Sequence, residues 1–367
     1  MNVTSLTADS ENRSEHFPGD QVNARKNGSP ALRSTLTKAD GNPPCDQIAS
    51  LYRPIKTELD QVESQLTSEL SSRYEELQPL LKHGTQLGGK RLRPAMLLLI
   101  GRTTGSLTTD HLTTASVIEM VHTATLIHDD VLDEAESRRH VSTINAKWNN
   151  HTSILLGDYL FSQAYRLAAT TSSTTACGKV GEAARRVCEG ELRQVMHRDQ
   201  LEISEDTYIA ILQAKTGELC RVACELGALF SGGTDTEIQA AAEFGNSLGI
   251  AFQIADDYLD LWGNDRVVGK TLGTDLQQGK ITLPILRLLQ TASDRERVVI
   301  ETILRGKPED RFTRIMPLLN ESDACEYTQS TARRYHADAT QALEQLPAGE
   351  ARDCLSAVAD FSINRSF

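Results

Sequence analysis

Residues 109–133 read TDHLTTASVIEMVHTATLIHDDVLD, and this stretch decides the fold. Val117, Ile118, Val121, Ala124, Thr125 and Leu126 leave almost no charge on the segment. A helix that is apolar nearly all round belongs in the middle of a helical protein. The segment ends on Asp129-Asp130-Val131-Leu132-Asp133. Residues four apart on a helix share a face, so Asp129 and Asp133 point the same way. The pattern recurs. A second apolar stretch with Leu248, Ile250, Ala251, Phe252 and Ile254 ends on Asp256-Asp257-Tyr258-Leu259-Asp260. Carboxylates crowded in this way repel unless a cation joins them. An all-oxygen set without His or Cys suits Mg²⁺, which binds through a few carboxylates together with substrate phosphates. The bland alternative is a solvated acidic face, and its repetition at the end of two apolar helices weighs against it.

Working outward, the helical pattern is nearly continuous from residue 46, with no convincing alternation of strand type. Helices are predicted over 47–82, 91–104, 109–135, 151–171, 175–197, 204–231, 234–264, 279–292, 294–305, 309–320, 322–346 and 349–363. Residues 1–45 are rich in Ser, Thr, Asn, Asp and Gly and too poor in large apolar residues to offset the entropy of ordering. They are read as a disordered tail, and 46–367 as a single all-α domain. If the two central helices run antiparallel to their neighbours, both acidic clusters can face one cavity, giving a bundle with a metal site at its mouth.

Composition excludes some classes. The chain of 367 residues carries 50 acidic and 38 basic residues, a net charge of −12. That argues against a nucleic-acid partner, whose footprint would be basic. The seven cysteines show neither disulfide nor metal spacing. Cys220 and Cys224 can share a helix face and are read as core. No run is long enough to span a membrane, and the N-terminus lacks a secretory apolar region. A reducing, cytoplasmic setting is expected.

Basic residues then appear where an anion would need them. Gly88-Gly89-Lys90-Arg91-Leu92-Arg93-Pro94 joins a flexible glycine pair to three cations, an arrangement that lets backbone approach a phosphate and Arg grip its oxygens. Arg138 and Arg139 follow the first acidic cluster and can either pair with it or hold a diphosphate that metal bridges to it. His122 lies two turns before Asp129 on the same stripe. Lys215-Thr216 interrupts a helix, Gln253 sits three residues before Asp256, and Lys270 and Lys280 lie in a Gly-rich loop that could close over phosphates. Each of these, taken singly, also has an ordinary structural reading.

Together these pieces resemble the trans-isoprenyl diphosphate synthases, or polyprenyl synthetases. The resemblance runs from about Leu81 to Pro284 and adds Gly157-Asp158-Tyr159, Glu189-Gly190-Glu191 with Gln194, and Gly279-Lys280-Ile281-Thr282-Leu283-Pro284. It implies an isoprenoid-synthase-type helical bundle around a deep apolar cavity, usually a homodimer. It implies that Mg²⁺ on Asp129, Asp133 and Asp256, with Asp130 and Asp260 completing the clusters, holds an allylic diphosphate. Arg138, Lys215 and Lys270 would assist, and Lys280 would face the phosphates. Isopentenyl diphosphate would sit on Lys90, Arg93, His122 and Arg139. Departure of diphosphate would leave an allylic cation, eased by Lys215, Thr216 and Gln253, that the isopentenyl double bond attacks. One departure from the family pattern is Gly217, where Ala is common after Lys-Thr; it is expected to loosen that helix locally.

Product length is read from what flanks the first cluster. Ala124 and Thr125 lie roughly 6–8 Å below the metals at 1.5 Å per residue and are small, so nothing there stops a growing chain. Phe161 and Tyr165 are the expected floor. The segment 122–126 is similar to long-chain members that make quinone side chains; a geranylgeranyl or farnesyl product is the alternative. A non-catalytic regulatory subunit would be expected to have lost clusters that this chain keeps, and a terpene cyclase would lack the Gly88–Pro94 segment. Peripheral membrane contact would serve release of a long product.

Overall fold

The computed structural model describes residues 50–86, 89–138, 141–263 and 272–364. The tail 1–45 lies outside them. The described chain is a helical bundle. Two short helices, α1 (Lys56–Glu69) and α2 (Gln78–Gln86), lead into α3 (Leu92–Thr104) and the long α4 (Thr109–Leu132). A tiny hairpin follows, β1 (Ser137–Arg138) against β2 (Val141–Ser142), then α5 (Ile144–Lys147), α6 (Asn150–Ala168) and α7 (Thr174–Met196). Next come α8 (Glu205–Leu212), one π turn (Gln213–Gly217), α9 (Glu218–Phe230) and α10 (Asp235–Trp262). The remainder is α11 (Thr274–Gln277), α12 (Leu283–Thr291), α13 (Asp294–Leu304), α14 (Pro308–Glu321), α15 (Ala324–Glu344) and α16 (Glu350–Asn364).

The predicted helix 47–82 is broken. Ser71 Oγ donates to the Ser68 carbonyl and the Tyr74 amide donates to Ser72 Oγ, so local serine bonds replace the helical ladder. Pro54 likewise sets a separate 3₁₀ turn at Arg53–Ile55. The predicted helix 204–231 keeps its path but changes pitch at the π turn. The small hairpin was not expected from the pattern; its strands are two residues each.

Helices α4 and α10 are the central pair. Val117, Ile118, Val121 and Ala124 of α4 are fully buried, as are Phe244, Ala251 and Ile254 of α10. The start of α4 is pinned by His111, also fully buried. Its Nδ1 accepts the Thr108 amide at 3.0 Å, so Nε2 carries the proton and donates to the Gly227 carbonyl at 3.0 Å. Burial lowers its pKa and keeps the ring neutral there.

Close backbone approach sets the distance between α9 and α10. A Cβ at Gly245 would run into the Cys220 carbonyl. A Cβ at Gly249 would lie 2.8 Å from Gly217 Cα and 3.2 Å from the Thr216 carbonyl oxygen. Gly217 is the last residue of the π turn. It is a contact point, where an added Cβ would meet Asn246 Oδ1 at 2.9 Å. These three glycines bring the π turn onto the face of α10 that carries Gln253.

Gly245→Val should therefore push α9 from α10 and cost about 1–3 kcal/mol, the usual price of overpacking. Equilibrium denaturation of the variant reads this directly. A stability equal to wild type would show that the helices are not in contact at Gly245.

Candidate active site

The first acidic cluster divides its three carboxylates between different tasks. Asp133 closes α4, its amide donating to the Asp129 carbonyl at 2.8 Å. Asp130 turns inward and is 1% exposed; Arg138 donates to its Oδ1 from Nε at 2.8 Å and lies 2.7 Å away through Nη2. The Asp130 carbonyl also accepts from the Ala135 amide and from Asn145 Nδ2. Asp130 thus ties the end of α4 to the hairpin. Asp129 faces the cleft with Lys215 Nζ 4.0 Å away. Burial raises the Asp129 pKa, the Lys215 charge opposes it, and Asp133 adds to it.

The second cluster divides in the same way. Asp257 is 4% exposed and accepts from Tyr208 Oη at 2.7 Å and from Gln253 Nε2 at 3.0 Å. Burial first, then the Asp275 charge, push its carboxyl up to about 8, against the pull of those two bonds. Asp260 accepts the amides of Thr274 at 3.1 Å and Asp275 at 3.2 Å, which are the orphan donors at the start of α11. Asp256 is partly exposed, unlike its neighbour Asp257. Sequence spacing alone cannot separate these roles, because i and i+4 fix a helix face and not what covers it.

Cations from distant segments converge on the first cluster. Lys280 Nζ lies 3.3 Å from Asp133 Oδ2 and 3.5 Å from Asp275 Oδ1. Arg198 Nη2 donates to Asp133 Oδ1 at 3.3 Å, and Gln278 Nε2 to the Asp133 carbonyl at 3.4 Å. The segment after the second cluster therefore reaches the first, and the two clusters border one cleft. Lys215 is held between Glu191 Oε1 at 2.7 Å and Gln194 Oε1 at 3.0 Å. Burial alone would lower the Lys215 pKa, but Asp129 and Glu191 outweigh it and hold it above the ordinary lysine value. Thr216 Oγ1 donates to Gln253 Oε1 at 3.0 Å. A π turn exposes backbone that a regular helix would hide, and such turns gather at functional sites. Arg198 and Tyr208 escaped sequence reasoning, since a lone Arg past a helix end and a lone Tyr inside one carry no spacing signal.

The basic segment is less uniform than its sequence. Arg91 does not face the cleft. With φ at 51° it turns inward, paired with Glu63 and with Glu119, whose Oε1 lies 2.7 Å from Nη1 and whose residue is 2% exposed. Arg93 points the other way and its Nη1 lies 3.1 Å from His122 Nε2. Lys90 is exposed and places its ammonium 5.0 Å from the centre of the Phe361 ring. Arg139, Lys270 and Gly88 lie outside the described residues.

The structure locates the residues read as bordering the apolar path. Ala124 is packed with Leu81, Ile127, Leu156 and Leu160, whereas Thr125 is partly accessible. Phe161 and Tyr165 stand on successive turns of α6, their rings 6.3 Å apart. The ring of Phe161 lies 6.0 Å from that of His128, next to Asp129, and Tyr165 is 39% exposed. Helix α6 runs back along α4, with Gly157 against His128 beside the acidic end and Phe161 one turn further from it. Its last turn, with Ala164, Leu167 and Ala168, joins the cluster that holds Val117, Ile118 and Val121.

Among the described residues no group of three or more His, Cys, Asp or Glu side chains converges closely enough to hold a metal by itself. The donors that face the cleft are carboxylates from two separate helices. That set fits a cation such as Mg²⁺, which commonly takes one or two carboxylates and completes its shell with water and substrate phosphate.

The chain is similar to known proteins over most of its length. The polyprenyl synthetase family model matches residues 74–319. An octaprenyl diphosphate synthase from Haemophilus influenzae is 32% identical over 323 residues, 88% of this chain and 97% of that protein. A short chain isoprenyl diphosphate synthase from Methanothermobacter thermautotrophicus is 32% identical over 288 residues, 77% of this chain and 89% of its own length. The crystal structure of a polyprenyl synthase from Caulobacter crescentus, complexed with calcium and isoprenyl diphosphate, superimposes with a TM-score of 0.81 at 34% identity, covering 88% of this chain and 98% of that one. With two acidic clusters on one cleft, a π turn carrying Lys-Thr between them, and a match over this length, the chain belongs to the polyprenyl synthetase family.

Proposed function

We propose that this chain is a Mg²⁺-dependent prenyltransferase that joins isopentenyl diphosphate head to tail onto an allylic diphosphate, with trans geometry, to build a long polyprenyl diphosphate. The observation that carries the reading is the ring of cations on the first cluster. Lys215, Lys280 and Arg198 come from three separate segments to Asp129 and Asp133. Carboxylates and cations interleaved in one cleft suit a ligand that is anionic and arrives with metal. The octaprenyl synthase relative and the calcium-bearing neighbour support the same reading.

Asp129, Asp133 and Asp256 are the residues that would hold the metal; Asp130 and Asp260 would support them by fixing Arg138 and α11. When bound, Mg²⁺ neutralises negative charge on the diphosphate. The chain's own residues do the rest. Lys215, Lys280 and Arg198, with Arg138 behind them and Lys270, grip the allylic diphosphate as it departs. Arg93 and His122, with Lys90 and Arg139, hold the isopentenyl diphosphate. Thr216 and Gln253 present oxygens toward the allylic carbons and ease the positive charge that develops there. The isopentenyl double bond attacks that carbon, a new carbon–carbon bond forms, and the proton lost afterwards passes to the released diphosphate. Exclusion of water once both substrates fill the cleft protects the cation from hydrolysis.

The product is proposed to be long because Thr125 and Ala124 put no ring beside the path, and a quinone side chain is its proposed use. A second copy of the chain is proposed to cover α6 and α7, where Leu155 is 68% exposed, Leu192 62% and Met196 71%. No helix among the described residues is long and apolar enough to cross a membrane. A cytoplasmic enzyme that touches a membrane only to release product is the corresponding proposal.

Incubation with isopentenyl diphosphate, farnesyl diphosphate and Mg²⁺, followed by chromatography of the dephosphorylated products, tests the reading. Chains longer than geranylgeranyl are expected, and excess chelator should abolish them reversibly. Asp256→Asn should cut turnover about a hundredfold or more while leaving thermal unfolding unchanged. Full turnover in chelator would overturn the metal assignment.

Thr125→Phe should place a ring in the path and shorten the product to about three or four isoprene units, a ring being larger than one turn of free path at 1.5 Å per residue. An unchanged long product from this variant would show that the path avoids Thr125. Thr125 is the cleaner site, since Ala124 is fully buried in an apolar cluster where a ring would overpack.

A further inference from the structure

An amide side chain has two ends of opposite polarity, and only the oxygen end can ease a positive charge. Which end of Gln253 faces the allylic carbons is therefore decisive for the role given to it above. The structure fixes this through a chain of hydrogen bonds. Tyr208 Oη donates to Asp257 Oδ2 at 2.7 Å, Gln253 Nε2 donates to Asp257 Oδ1 at 3.0 Å, and Thr216 Oγ1 donates to Gln253 Oε1 at 3.0 Å. Tyr208 occupies Oδ2 and the NH₂ end of Gln253 occupies Oδ1, so the amide oxygen is left toward Thr216.

Asp257 can hold the amide only if its own plane is held. Its second oxygen is where Tyr208 binds. Both groups are 4% exposed, so water does not stand in for the phenol. Tyr208 belongs to the buried apolar cluster that also holds Leu212, Ile250, Ile254 and Leu283. Tyr208 belongs to α8, immediately before the π turn that presents Lys215 and Thr216. One residue thus links the helix that leads into the π turn to the helix that carries Gln253 and Asp256.

We propose that Tyr208 is a positioning residue for prenyl transfer, acting through Asp257 to hold Gln253 with its oxygen toward the allylic carbons. The ordinary alternative is a core tyrosine whose hydroxyl is merely satisfied. The inference rests on the role proposed for Gln253.

The two are separated by Tyr208→Phe, which keeps the ring and removes only the hydroxyl, assayed beside Gln253→Leu and the double variant. Tyr208→Phe should lower kcat about three- to tenfold, the worth of one hydrogen bond, with KM for both diphosphates unchanged. In the Gln253→Leu background the same change should cost less than about twofold, because residues acting as a unit are not additive. Thermal unfolding measured alongside reads any loss of packing. Unchanged kcat in Tyr208→Phe, or an equal loss with and without Gln253, would overturn the positioning role. Wild-type turnover retained by Gln253→Leu would instead overturn the reading on which it rests.

Discussion

The structure depends on one electrostatic constraint: the cleft holds more carboxylates than cations. Asp129, Asp133, Asp275 and Glu191 lie within 4.0 Å of Lys215, Lys280 or Arg198. Left alone, such a group raises its own carboxyl pKa values, and burial and neighbouring charge do so at Asp129, Glu191 and Asp257. The surplus is what allows a cation and an anion to enter together. It also explains why the cations present are paired within the protein: each is kept extended over the cleft by a carboxylate, at little cost in ordering when a diphosphate arrives.

The two halves of each acidic cluster show how the constraint is met. One carboxylate is spent on architecture and its neighbour faces the cleft. Asp130 anchors Arg138 and the hairpin, and Asp260 caps α11, so the loops that follow each cluster are held by the cluster itself. Gly217, Gly245 and Gly249 serve the same end from below, because only bare backbone lets the π turn sit against α10 with Thr216 at hydrogen-bonding distance from Gln253.

Much of this was legible in the sequence. Two apolar helices each ending on Asp-Asp-x-x-Asp specify a helical interior with an acidic mouth, and the break at Lys215-Thr216 marks the π turn. The pairings were not legible. Arg91 and Arg93 look alike in sequence, yet a left-handed backbone at Arg91 sends it to Glu119 while Arg93 meets His122. Phe161 and Tyr165 share a face by their spacing, but only the antiparallel course of α6 shows that Phe161 comes beside His128 while Tyr165 lies a turn further from the acidic end. Tyr208 was invisible, since its significance lies in a contact across to α10. Spacing along one helix reports faces; which face meets which neighbour is a tertiary fact.

The central claim is that the cleft is completed by metal and diphosphate jointly. Calorimetric titration of Mg²⁺ into the full chain, alone and with inorganic diphosphate present, tests it most directly. The account predicts weak binding alone and binding at least about tenfold tighter with diphosphate, the two ligands reinforcing each other reciprocally. Equal Mg²⁺ affinity with and without diphosphate would contradict it.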